Sequence, residues 1–405
     1  MPALLFNDAV LLDGTGAEPR GRDVPRVEDG RIARIDASGA IDAPVGARVI
    51  DCGGRTLMPG LTDAHVHFGL TDDGTRTPES HVSYVLKVVE NIRIALDEGF
   101  TTVRDAGGLD PAYALAVEQG QIPGPRILPS GSFLSQTGGH GDQRFRFDDE
   151  APPSIPGLVA HSEICDSPDD VRRAARKQIR RGATQVKLMA SGGIMSPNDP
   201  LESLQFSVEE MAAAVAEARS FGTYVMAHTH TSGAMNRALD AGVRSLEHAS
   251  MLDQATARRI AEQDAYIVPT LVIFEILSRS DRIPEFSRSK LELVRREAAA
   301  SVRVALDAGV RIASGSDLLG PSQRRRGNEI VEKAKHMGAM AAIVSATKTN
   351  AELFRMADRI GTVEAGREAD LIVVDGDVGG DVGALVDARN VVLVVKSGEI
   401  VKDAL

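Results

Sequence analysis

Tryptophan is absent from this chain of 405 residues, tyrosine occurs four times, and aromatic residues make up 4% of it. No cluster of lysine and arginine stands beside the few aromatics, and acidic residues outnumber basic ones 57 to 46. The net charge of −11 favours solubility and disfavours nucleic acid and anionic membranes as partners. Cysteine is also scarce. Cys52 and Cys165 are too few for a disulfide framework and fit a reducing, cytoplasmic location. No apolar run approaches the ~18 residues of a membrane span. The N-terminal MPALLFNDAVLLDG has no basic region ahead of an apolar stretch, so no signal peptide is expected. The short basic run Arg324 to Arg326 reads as a solvated loop. With 43% hydrophobic and 25% charged residues, the chain has the makeup of a soluble globular protein. Its length suits one large unit and a smaller one.

Both ends read alike. Residues 3–12, 31–35 and 48–51, and later 370–375 and 391–396, are β-prone runs bounded by Gly, Asp and Asn. They predict a small β-sandwich assembled from residues 1–56 and 362–405. The middle alternates two kinds of pattern. Eight strand candidates cover 61–65, 100–105, 126–131, 184–190, 223–228, 245–249, 267–271 and 311–317. Helical stretches lie between several of them, among them 79–98, 169–181, 207–221, 232–241 and 287–308. Gly99, Gly182, Gly222, Gly242 and Gly309 stand where helices should stop. Alternating β and α segments imply a parallel sheet, and eight of them imply a (β/α)8 TIM-like barrel over residues 57–361. Residues 132–167 form a Gly-, Pro- and Asp-rich insertion after the third strand, of a length often seen in lids.

In such a barrel, catalytic groups sit at the C-terminal ends of strands. His65 and His67 end the first predicted strand, Lys187 lies in the fourth, His228 ends the fifth, His248 the sixth and Asp317 the eighth. Side chains alternate along a strand, so His65 and His67 face the same way. Two nitrogen donors from one strand suit zinc, manganese, cobalt or iron. Lys187 stands in an apolar strand, where a charged amine is costly unless neutralised or paired. Two solutions are open to it. One is an ion pair with a buried carboxylate; the other is reaction with carbon dioxide to a carbamate that bridges two cations. The flanking VKLMASGG and the histidine positions favour the carbamate. His228 and His248 are either satisfied core histidines or ligands of a second cation, and their matched places on adjacent strands favour the second. Asp317, in ASGSD, suits a helix N-cap and equally a metal ligand that takes a proton from water.

Taken together, these pieces resemble the amidohydrolase superfamily. MPGLTDAHVHF resembles its His-x-His signature. VKLMASGGIMSPNDP, AHTHTSGAMNRALDAGVRSLEHAS, VPTL, ASGSD, EAGREADLIVVDGD and VVKSGEIV follow in the family's order over nearly the whole chain. Within the superfamily the chain is similar to the prolidase-like branch of Xaa-Pro and other Xaa-amino-acid dipeptidases and N-acyl-amino-acid hydrolases. Relatives act on imidazolonepropionate, mycotoxin amides, and carbamate or urea herbicides. The resemblance implies a binuclear metal-dependent hydrolase that attacks the amide bond of a dipeptide or N-acyl amino acid with metal-activated hydroxide. It implies two divalent ions, zinc ahead of manganese or cobalt. His65, His67 and Asp317 would hold the more buried ion, His228 and His248 the more exposed one, and carboxylated Lys187 would bridge them. Asp317 would also take the proton of the acidified water and pass it to the leaving amine. His140, in SQTGGHGD, matches a histidine that meets the substrate carbonyl or oxyanion in related branches. His230 stands where some relatives carry a tyrosine against the substrate carboxylate, so its contact differs in reach. A small-molecule substrate and a homo-oligomer follow from the same resemblance.

Fold and metals do not fix the bond cleaved. A carbamate, urea, lactam or mycotoxin or xenobiotic amide is the alternative substrate, with a lactone or phosphotriester behind it. Arg144, Arg146 and His230 are the cationic candidates for a substrate carboxylate. A non-enzymatic scaffold is disfavoured because every expected ligand is present. Pro25 and Arg26, in RDVPRVEDGRI, suggest an edge strand in the small β unit. Arg104 and Asp105, ending TTVRD, are either partners of the metal ligands or a buried ion pair.

Overall fold

A computed structural model of the chain describes residues 2–37, 43, 45–72, 80–144, 146–150 and 154–405. Residue 79 of the first expected helix, and residues 145 and 151–153 of the expected insertion, lie outside the described residues. The chain begins with β1 (Leu4–Asn7), β2 (Ala9–Leu11), β3 (Arg20–Glu28), β4 (Arg31–Ala37), β5 (Arg48–Asp51) and β6 (Thr56–Pro59). Next come β7 (Leu61–Val66), β8 (Phe100–Asp105), β9 (Arg126–Leu128), β10 (Leu134–Ser135) and β11 (Glu163–Ile164). They are followed by β12 (Val186–Met189), β13 (Val225–Thr231), β14 (Ser245–Met251), β15 (Tyr266–Val268) and β16 (Arg311–Ile312). The last are β17 (Leu371–Val374), β18 (Val391–Lys396) and β19 (Glu399–Asp403).

Strands from both parts of the chain share one nine-stranded mixed sheet, in the order β19-β18-β17-β6-β2-β3-β1-β5, with β4 paired to β3. Leu4, Phe6, Leu57, Leu371 and Val373 are buried in one apolar cluster of this sheet. Pro25 is not at an edge. It faces Ile35 of β4, and its strand is paired on the other flank as well. On that flank it falls between the β1 ladder, which reaches Arg26, and the β2 ladder, which starts at Asp23. The missing N–H therefore coincides with a gap between two ladders, where a proline is tolerated inside a sheet.

The remaining strands pair in parallel, in the orders β7-β8-β9 and β11-β10-β12-β13-β14-β15-β16. Their side chains are buried on both faces, which explains the runs at 186–189, apolar but for Lys187, and 266–268. Backbone hydrogen bonds link the two sheets. The Ala64 N–H donates to the Ser314 carbonyl at 2.7 Å, and the Thr184 N–H to the Pro129 carbonyl at 2.8 Å. Helices run between strands, among them His81–Asp97, Pro168–Arg180, Val208–Ser220, Ser232–Asp240 and Glu285–Asp307. Ser207 and Glu210 cap the third of these reciprocally. The five glycines expected at helix ends have φ between 72° and 103°, the left-handed region that a side chain disfavours.

Four expectations need correction. The third strand stops at Leu128 and not at 131. The segment expected as a strand at 267–271 ends at Val268, because Thr270 turns left-handed (φ 51°) and a helix starts at Leu271. The last expected strand, 311–317, is regular only over Arg311–Ile312. Beyond it, Ser314 and Ser316 donate their N–H groups to the side chains of Asn350 and Asp63, and the segment is tied to β7 by the backbone bonds Ala64–Ser314 and Asp317–His65 without forming a regular strand. Arg324 and Arg325 are exposed, but Arg326 is fully buried. Its guanidinium lies 3.3 Å from the Asp63 carboxylate and over the Phe68 ring, so the basic run is not wholly solvated. The 132–167 insertion, for its part, contains β10 and β11, which add to the seven-stranded sheet.

Candidate active site

Three strands deliver imidazoles to one place. β7 carries His65 into its last turn with His67 just beyond it, β13 carries His228 and His230, and β14 carries His248. β13 runs on to Thr231, so His228 and His230 share a face. The rings of His65 and His248 are centred 5.0 Å apart, those of His228 and His248 4.6 Å, and those of His228 and His230 4.7 Å. His140, from the loop after β10, stacks on His228 at 4.3 Å. Asp317 reaches in from the irregular segment after β16. Its Oδ1 lies 3.3 Å from His67 Nε2 and 3.6 Å from His65 Nε2, and its Oδ2 lies 3.9 Å from His248 Nδ1. His248 and Asp317 both have left-handed backbone (φ 69° and 53°), the kind of local strain that collects at functional sites.

Hydrogen bonds fix which nitrogen of the His65 and His67 rings faces inward. His67 Nδ1 lies 2.7 Å from the Gly107 carbonyl, which can only accept, so the proton sits on Nδ1. His65 Nδ1 lies 2.7 Å from the Glu247 carboxylate and is protonated for the same reason. The two Nε2 atoms therefore present lone pairs to each other across 3.2 Å, with a carboxylate oxygen beside them. Three acceptors at 3.2–3.6 Å are the edges of a polyhedron around one cation. A tetrahedron with bonds of ~2.0–2.1 Å has edges of about 3.3 Å, so the donor set fits a divalent transition metal. One ligand atom each from His65, His248 and Asp317 also lies within 4.8 Å of the others.

Residues 56–401 match the amidohydrolase family. The chain belongs to that family. It is 34% identical over 363 residues to an ochratoxinase of Aspergillus niger, a match that covers 85% of this chain and 75% of that one. Its fold is similar to a crystal structure of a prolidase complexed with N-methylphosphonate-L-proline, with a TM-score of 0.94, 36% identity, and 99% and 100% of the two chains covered. It is also similar to a Xaa-Pro dipeptidase with bound methionine in the active site (TM-score 0.89, 30% identity, 99% and 100% covered). This amidohydrolase is an enzyme, a hydrolase acting on C–N bonds.

Burial sets the charge states of the amidohydrolase site. It pushes His65, His228 and His248 well below the usual imidazole range, helped by Lys187 for His65 and by neighbouring imidazoles for the other two. Burial brings both His67 and His230 down to about 3. Neutral imidazoles are the form that binds a cation. Burial lowers the Lys187 amine and raises the Asp317 carboxyl, so each is shifted toward neutrality. Lys187 is buried, and among the described residues its Nζ has no hydrogen bond and no carboxylate within 4 Å. The ion-pair alternative for it is thus not met among those residues. Arg144 is bound through two nitrogens to Asp142, and Arg146 is exposed.

Glu247 escaped the sequence reading. It is fully buried and accepts from His65, from Arg104 Nη2 at 2.9 and 3.1 Å, and from Ser245 Oγ at 2.5 Å. Arg104 also donates to the Ala64 carbonyl at 2.7 Å, so it ties β8 to both β7 and β14. Its partner is Glu247 and not the adjacent Asp105, which instead accepts from the Gly107 and Phe68 N–H groups. The available signal was Arg104 in FTTVRD and Glu247 in SLEHASM, opposite charges in two expected strands. Lys290 was also missed. It donates to three carbonyls, of Gly193, Ser196 and Asp199, and so holds the loop on which His140 rests.

Proposed function

We propose that this amidohydrolase hydrolyses the amide bond of a dipeptide or N-acyl amino acid with two divalent cations. The observation that carries the reading is the meeting of two imidazole lone pairs and a carboxylate oxygen with no donor group between them among the described residues. His65, His67 and Asp317 would hold one cation and His228 and His248 the other. Lys187, converted by carbon dioxide to a carbamate, would bridge the two. Zinc suits this ligand set, as do manganese and cobalt. When bound, the cations would supply an acidified water and a polarised carbonyl. Asp317 accepts the proton of the attacking water and returns it to the leaving nitrogen, acting as base and then acid. His140, held by Ser196 through Nδ1 and by Gln205 through its N–H, meets the substrate carbonyl oxygen. His230, fixed by Ser250, faces the same chamber and contacts the rest of the substrate.

The two parallel sheets are read as one (β/α)8 barrel over residues 57–361. The hydrogen bonds Ala64–Ser314 and Thr184–Pro129 support that closure. Residues 1–56 and 362–405 form the accompanying β-sandwich unit, and 132–167 a lid over the site. A cytoplasmic homo-oligomer acting on small molecules, without nucleic-acid or membrane partners, accords with the −11 charge and with two free, buried cysteines. No helix among the described residues is long and apolar enough to cross a membrane.

Likeness to a prolidase and a Xaa-Pro dipeptidase supports a substrate with a free carboxylate beside the scissile amide. Likeness to an ochratoxinase favours, as a second reading, a mycotoxin or other xenobiotic amide. One experiment separates them. Protein loaded with zinc, manganese or cobalt is given a mixed library of dipeptides, N-acyl amino acids, carbamates, ureas, lactones and phosphotriesters, with products read by mass spectrometry. Cleavage confined to amides next to a carboxylate supports the first reading. Cleavage only of compounds without that carboxylate removes it.

A further inference from the structure

A second concave site lies at the opposite end of the same strands. A cavity of about 190 Å³ is walled by Arg219, Tyr224, Gly242, Arg244, Gln263 and Arg355. It opens where β13 and β14 begin, at Val225 and Ser245, whereas His228 and His248 lie further along. At about 3.3 Å per residue, Val225 is roughly 10 Å along the strand from His228.

Three arginines, Arg219, Arg244 and Arg355, line this cavity, and among the described residues none of them has a carboxylate within 4 Å. Asp264 also lines it, but its carboxylate is engaged by Arg311 at 2.8 Å. Two of the three arginines are already oriented. Arg244 lies over the Tyr266 ring at 4.9 Å and the Tyr224 ring at 5.9 Å, and donates to the Glu352 carbonyl at 3.1 Å. Arg355 lies 5.6 Å from the centre of the Tyr224 ring and donates to the Gly222 carbonyl at 2.6 Å. Its left-handed backbone (φ 61°) is a conformation that side chains disfavour. Gly242 makes room for the third arginine, since a Cβ there would stand 2.8 Å from Arg219 Nη2. Three like charges in one hollow repel each other and focus a positive potential outward, on a chain whose net charge is −11.

We propose that this cavity binds a phosphate-type dianion, either free or as the phosphoryl group of a small metabolite. Guanidinium forks match phosphate oxygens two at a time. Three forks suit a tetrahedral anion, with three or more oxygens to share, better than a carboxylate with two. The backbone N–H groups of Thr223, Gly242, Val243, Arg244 and Asp264 are already bonded to carbonyls, so the side chains carry the recognition.

The test compares the wild type with the double variant Arg219→Ala/Arg355→Ala, whose two side chains are exposed, after circular dichroism has shown that the variant keeps the wild-type fold. Both are titrated calorimetrically with inorganic phosphate at constant ionic strength, metal-loaded and again after chelation. The expected result is wild-type binding that survives chelation and weakens at least about tenfold in the variant. Glycerol phosphate in a parallel titration tells the two sources apart: tighter binding than phosphate assigns an ester, weaker binding the free ion. Superimposable isotherms for the two proteins overturn the proposal. So does binding that vanishes on chelation, or succinate binding as tightly as phosphate.

Discussion

Replacing Glu247 by glutamine tests how the centre is held. Glu247 and Arg104 are both fully buried, and three donors converge on the one carboxylate, from His65, Arg104 and Ser245. Glutamine keeps the volume but offers one acceptor oxygen and turns an amide NH₂ toward a donor. Two costs follow. Removing one partner of a buried ion pair destabilises by about 3–5 kcal/mol. Losing the acceptor behind a ligating histidine weakens cation binding by about 10–100-fold, or about 1.4–2.7 kcal/mol. Competition with a chromogenic chelator measures the second cost and chemical denaturation the first. The pair Arg104→Met/Glu247→Leu separates them, since it removes both charges at once. That variant should recover most of the stability and none of the affinity, because His65 Nδ1 still lacks its acceptor. Wild-type cation affinity in Glu247→Gln would refute the orienting role. Full affinity in the double variant would trace the loss to misfolding.

Three further outcomes are expected. Lys187→Ala should lose most of its bound metal, measured by elemental mass spectrometry, and most of its turnover; full occupancy with undiminished turnover would sink the bridging carbamate. Asp317→Asn should retain appreciable metal while turnover falls by about 10²–10⁴-fold, the range for a general acid–base; unchanged turnover would remove Asp317 from proton transfer. Gly315→Ala should destabilise by about 1–3 kcal/mol, the usual range for overpacking. Its Cβ would stand 2.5 Å from His65 Cβ and 2.6 Å from Val268 Cγ1, and an unshifted denaturation midpoint would contradict that packing.

The parallel strands were legible because burial on both faces writes them as apolar runs, and the histidines were legible as residues of β7, β13 and β14, although His228 and His248 stand mid-strand and not at the ends expected for them. β10 and β11 have two residues each, too few for any periodicity. Asp317 was found as a residue but placed in the wrong kind of backbone. The segment before it is held by Asn350 and Asp63, and side chains so distant in sequence leave no local pattern. The pairing of Arg104 with Glu247 spans 143 residues, so each charge was visible and their meeting was not. Arg324, Arg325 and Arg326 look alike as letters, and only the Asp63 carboxylate distinguishes the buried one.

The place of β6 has a consequence for how the enzyme is made. β6 lies between β2 and β17, and about 310 residues of chain separate Pro59 from Leu371. At ~5–20 residues per second a ribosome delivers β17 about 15–60 s after β6. Through that interval one edge of β6 is open, a state that invites pairing with other chains. β7, with His65, follows β6 after the single residue Gly60. The strand that bears His65 is therefore anchored to a sheet that closes only once β17 has been made, so maturation of the centre waits for a segment about 300 residues further along the chain.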